Sequence, residues 1–258
     1  MMQKLEINYS TNYTNDLEET LMNNPKTIMD SINCKSNEKR SNELMNYALA
    51  VSGINNEELK NYYNQLNKIY DSIICLVDLN NDYTKMSSLN KIIYQNFKHK
   101  SHFPELSNII DTRKGNCIAF ATLYSIFALK TGLDVELATS NEGIHFLNKF
   151  NINNKTYYVD CNIEIPSGDE LVFTYFNKNA YKMKLMDAIF GITQNAKLSD
   201  LLSAIYRSRA HKEENIKKSI ELYKKSLLLN PSDKLVKNYL KKLKLTQIFQ
   251  NTKNKTKF

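Results

Sequence analysis

The sequence lacks the features that mark several large protein classes. No apolar run reaches the ~18 residues that a membrane-spanning helix requires. The first residues, Met1 to Asn12, are polar and carry no secretory-type apolar stretch, so the chain reads as cytoplasmic. Its four cysteines, Cys34, Cys75, Cys117 and Cys161, include no C-x-x-C pair, which argues against a structural zinc site or a dithiol redox motif. No nucleic-acid-binding motif accompanies the net charge of +8. The lysines concentrated in Lys212 to Lys244 and in the tail Asn251 to Phe258 therefore read as solvated faces, not as a nucleic-acid surface.

What is present is a chain of 258 residues with 42% hydrophobic and 24% charged content, ample for a packed core. Its first hundred residues show helical periodicity. Leu59, Tyr62, Leu66, Ile69, Ile73 and Leu76 recur at spacings of three and four. Leu17 to Ile32, Glu43 to Val51 and Ser88 to Phe97 read as further helices, the last capped by Ser87 or Ser88. Asn33 to Ser41 reads as a polar separator. Cys75, inside the run Ile73 to Val77, reads as core.

The texture changes after Ile109. The polar loop Asp111 to Asn116 leads into Cys117 to Thr131, which is apolar nearly all round and therefore predicts a buried helix. Asn116 stands at the N-cap and Gly132 at the C′ position. Strands follow at Asp134 to Thr139, Ile144 to Asn151 and Lys155 to Asp160, with a hairpin between the last two, and another is predicted over Glu170 to Phe176. Asn177 to Met183 reads as a linker, followed by helices at Leu198 to Arg209, Ile216 to Pro231 and Ser232 to Leu245.

One constellation carries chemistry. A cysteine in the first turn of a buried helix meets the positive end of the helix dipole and its amide donors, which favour a thiolate. Its own amide is a candidate oxyanion donor. A base for that thiolate is supplied by His145. If the hairpin turns about Ile152 and Asn153, His145 lies across from Asp160, whose carboxylate would hold the imidazole tautomer. A turn shifted by one residue is expected to put the two on opposite faces. A second oxyanion donor is unassigned, Gln95 being the nearby upstream glutamine. Cys161, next to Asp160, reads as packing on the opposite face, and His99, His102 and His211 read as surface residues.

Arg113-Lys-Gly-Asn-Cys117, the apolar helix ending at Thr131-Gly132-Leu133, His145 and Tyr158-Val159-Asp160 together resemble the transglutaminase-like (papain-type) superfamily, with its triad in the order Cys, His, Asp. Leu89 to Phe97 and Leu106 to Arg113 resemble a bacterial branch with an N-terminal helical region and a C-terminal tetratricopeptide segment. The resemblance spans roughly Leu59 to Leu245. Ser219, Tyr223, Ser226 and Pro231 match the small, aromatic, small and proline positions of one such repeat. The repeat is degenerate and is read as packing on the thiol domain.

The resemblance implies an α+β fold. Residues 1–87 would form a helical region, 88–176 a thiol core with a buried Cys helix on a small antiparallel sheet, 177–245 a helical extension and 246–258 a basic flexible tail. It also implies acyl chemistry by Cys117, His145 and Asp160 on a protein or peptide substrate, by hydrolysis or transfer, without a cofactor or metal. The resemblance further implies that members of the branch often carry a residue other than cysteine at the nucleophile position; this chain has Cys117, which supports competence. The alternative is a non-catalytic interaction module that keeps the same fold.

Overall fold

A computed structural model describes residues 14–140, 143, 145–160 and 192–255. The strand and linker anticipated at Glu170 to Phe176 and Asn177 to Met183, and Cys161, lie outside the described residues.

The N-terminal helices start where side chains can accept their orphan amides. Helix α1 (Asp16–Asn23) is capped by Asn15, which accepts from the Glu18 amide. The single helix expected over Leu17 to Ile32 is broken at Asn24, because Pro25 disfavours helical backbone in the residue before it. Helix α2 (Pro25–Asn33) resumes with proline at its first position. Helix α3 (Asn37–Val51) begins within the stretch expected to separate helices.

Helix α4 (Asn56–Ile74), capped by Asn55, buries Leu66, Ile69 and Ile73. Leu76 is 64% exposed. Cys75 is also exposed and is not a core residue. It follows the last helical residue and lies about 200° around the axis from Ile73, off the buried stripe. Helix α5 (Asp82–Asn96) is capped by a reciprocal Asn81–Thr84 box, not by Ser87 or Ser88. Ser88 instead lies mid-helix, donating to the Thr84 carbonyl at 2.6 Å.

Strand β1 (Lys98–His99) pairs in parallel with β2 (Lys114–Gly115), on either side of the short helix α6 (Leu106–Thr112). Helix α7 (Cys117–Lys130) follows, with every residue from 118 to 129 buried. It is closed by a Schellman arrangement. The amides of Gly132 and Leu133 donate to the carbonyls of Leu129 and Ala128, with Gly132 at φ 84°.

Four strands, β3 (Glu136–Ser140), β4 (Phe146–Ile152), β5 (Lys155–Val159) and β6 (Ile192–Ala196), form an antiparallel sheet in the order β5-β4-β3-β6. Strand β6 falls within residues 177–245, expected to be a helical extension. Its sequence, Ile-Thr-Gln-Asn-Ala, has no marked apolar alternation to announce it. The β4–β5 turn is Asn153-Asn154, at φ 50° and 61°, a pair of left-handed residues that suits a two-residue hairpin. Register therefore pairs Ile152 with Lys155 and Asn148 with Val159. The turn sits one residue later than predicted. Contrary to the expectation for a shifted turn, this leaves every side chain on its expected face, because moving the turn by one residue moves each partner by two.

Helices α8 (Leu198–Lys212), α9 (Ile216–Leu229) and α10 (Lys234–Lys255) complete the described chain. Residues 246–255, expected as a tail, are the last turns of α10; no proline or glycine interrupts them. Ser203 and Ser226 let α8 and α9 approach closely, their hydroxyls 2.8 Å apart and each donating to the other's carbonyl. The main core runs unbroken from Leu21 of α1 through α7 to Leu201, Ile205 and Tyr206 of α8. Tyr223, in the repeat expected to pack on the thiol domain, instead joins Ala210, Ile220, Val236 and Leu240 in a satellite cluster between the last three helices.

The architecture is α+β, mostly helical with a small antiparallel sheet. Helix α7 is bound to that sheet by Asn148 of β4, which donates to Ala121 O at 3.2 Å and Ser125 Oγ at 2.7 Å. Among the described residues no helix is long and apolar enough to cross a membrane.

Candidate active site

Cys117 opens α7 because Asn116 ends the loop before it. Asn116 Oδ1 accepts from the amides of Ile118 and Ala119 at 3.0 and 3.2 Å, and its own amide donates to Phe103 O at 2.8 Å. Gly115 has no room for a side chain. A Cβ there would lie 2.9 Å from Ile109 and 3.0 Å from Ala119, so glycine lets α6 close against α7. Cys117 is half-buried, whereas Cys34 and Cys75 are exposed.

His145 stands one residue before β4, fixed by the end of β3. Its carbonyl accepts from the Ser140 amide at 3.1 Å and the Thr139 hydroxyl at 2.9 Å, and its amide donates to Ser140 Oγ at 3.2 Å. Asp160 follows β5 and is 7% exposed. The register places it diagonal to His145 on the same face, within reach of a long side chain. His145 Nε2 lies 2.7 Å from Asp160 Oδ2. The Cys117 side chain also hydrogen-bonds His145. With Nε2 engaged by the carboxylate, Nδ1 is the ring nitrogen left for the sulfur.

Burial works against a charged imidazole here, but the hydrogen bonds to Asp160 and Cys117 and their negative charges outweigh it. Together they push His145 up to about 10. The proton is thus held on the imidazole between two acceptors. A thiol beside such a group has an acid for its leaving group and a cation for its thiolate.

The cysteine opens onto a groove of about 520 Å³. One wall is the segment between β1 and α6, with His102 and Pro104; the other is His211 of α8 with Leu235 and Tyr239 of α10. His211 stacks at a tilt on Tyr239, ring centroids 5.6 Å apart. His99, His102 and His211 are exposed, as read from the sequence, yet all three line this groove. No local signal marked them, because the walls come from segments far apart in the chain. Gln95 is exposed on α5 and does not line it. Among the described residues, no group of three His, Cys, Asp or Glu is arranged to hold a metal ion.

No protein-family model matches the chain, and no curated protein matches its sequence. Among solved structures, a crystal structure of menin, described as revealing the binding site for the Mixed Lineage Leukemia (MLL) protein, is similar over 90% of this chain, at 12% identity and a TM-score of 0.42. The chain spans 66% of that menin chain, and a likeness of this degree carries no argument about function.

Proposed function

We propose that the protein performs thiol-dependent acyl chemistry on a transglutaminase-like core, with Cys117 as nucleophile, His145 as general acid and base, and Asp160 holding the imidazole. The substrate is an amide, isopeptide or ester carbonyl of a protein or peptide laid in the groove at Cys117. The thiolate attacks the carbonyl carbon, the first-turn amide of Cys117 faces the developing oxyanion, and His145 hands its proton to the departing amine or alcohol. Water or an acceptor amine, deprotonated by His145, then releases the acyl group from the thioester.

The observation that carries this reading is His145, bound to Asp160 at 2.7 Å through one ring nitrogen and to the Cys117 side chain at the start of α7. Iodoacetamide labelling of the intact protein with peptide mapping tests it. At pH 6 an ordinary thiol is only about 0.3% ionised. With the start of α7 and the charged His145 beside it, half-buried Cys117 should react about tenfold faster than exposed Cys34 or Cys75. His145→Ala should erase the advantage. Equal rates at the three thiols would overturn the reading and favour a module that tolerates Cys117→Ala.

A further inference from the structure

Arg207 lies within α8, yet only 12% of its side chain is exposed. It is committed at both ends of its guanidinium. Nη1 donates to Asp233 Oδ2 at 2.9 Å, and Nη2 donates to the carbonyl of Gly143. Asp233, 7% exposed, in turn starts α10. Its Oδ1 accepts from the Val236 amide at 3.0 Å and its carbonyl from the Lys237 amide at 3.2 Å. Gly143, at φ 64° and with its amide on Ser140 O at 2.8 Å, lies two residues before His145.

A nearly buried ion pair contributes little net stability relative to apolar side chains of the same size, so stability alone is a poor account of this arginine. A guanidinium offers two donors in one rigid plane, a geometry that fixes two acceptors relative to each other. Here those acceptors belong to the start of α10 and to the loop carrying His145. The other side of that loop is tied to β3 through Ser140 and Thr139, and Arg207 ties it to the C-terminal helices.

We propose that Arg207 is a positioning residue. It locks the His145 loop to α8 and α10, so that helices contributing no member of the Cys117–His145–Asp160 set nonetheless determine how the imidazole is aimed at the sulfur. This rests on the reading of Cys117 as a nucleophile activated by His145. Arg207 also lines the groove at Cys117, so a chain bound there touches the same side chain that holds the loop.

The full chain carrying Arg207→Lys separates aiming from folding. Lysine keeps a cation for Asp233 but has no second, fixed donor for Gly143 O. The melting temperature should stay near that of the wild type. The pH 6 alkylation rate of Cys117 should fall about tenfold, within the ~100-fold that a misplacement of about 1 Å can cost, and its pH profile should move toward that of His145→Ala. A folded Arg207→Lys protein with the wild-type rate and profile would overturn the inference. So would a variant that fails to fold, since Arg207 would then be holding the structure together instead of aiming a side chain. If His145→Ala itself leaves Cys117 unchanged, the proposed function fails first; if it slows Cys117 while Arg207→Lys does not, only the positioning role fails.

Discussion

Replacing Lys225 by methionine should destabilise the whole protein, not only its C-terminal helices. Lys225 Nζ lies 3.0 Å from Glu18 Oε1, joining α9 to α1, and the two side chains are 5% and 1% exposed. Without the cation, Glu18 keeps, among the described residues, the Tyr206 hydroxyl at 2.6 Å and the Thr14 amide at 2.6 Å. Stripping one partner from a buried pair costs ~3–5 kcal/mol, and two surviving neutral donors place this case at the lower end, about 3 kcal/mol. For a chain of this size that corresponds to a melting temperature lower by about 6–12 °C. The double variant Glu18→Gln/Lys225→Met removes both charges and keeps an acceptor for Tyr206, so it should recover most of the loss. Urea unfolding at pH 7 and calorimetry measure both. A single variant within ~0.5 kcal/mol of wild type, the range of an ordinary surface change, would refute the docking of α9 on α1.

Two further predictions concern the site. Because folding raises His145 from an ordinary 6.5 to about 10, its contribution to stability is complete below about pH 6.5 and is lost as pH rises through 10. The difference in urea midpoint between wild type and His145→Gln should therefore shrink across that window, and a difference that grows with pH would contradict the assignment. Asn116→Ala removes the acceptor for two first-turn amides and should cost about 1 kcal/mol, together with a slower Cys117 as the helix start frays. Unchanged stability and thiol reactivity would show that the cap does not matter.

Signals confined to a few residues were legible in the sequence. Asn116 and Gly132 bounded α7, since a cap and a left-handed terminator act on amides within the same turn. The alternation of β4 and β5 put His145 and Asp160 on one face even with the turn misplaced by a residue, because strand faces repeat every second residue. Local detail with a competing neighbour was misread. Pro25 split a helix that the periodicity joined, and Cys75 fell off the buried stripe once α4 ended at Ile74.

Contacts between distant segments left no trace that one sequence could show. Strand β6 falls inside the stretch expected as a helical extension and shows itself only where β3 pairs with it. The groove histidines come from β1, the loop after it and α8. Arg207 reaches Gly143 across 64 positions and Lys225 reaches Glu18 across 207. Helix ends and strand faces answer to neighbours a few residues away, so the sequence determined them alone. Which arginine meets which carbonyl depends on how closed helices pack, and only the tertiary structure decided that.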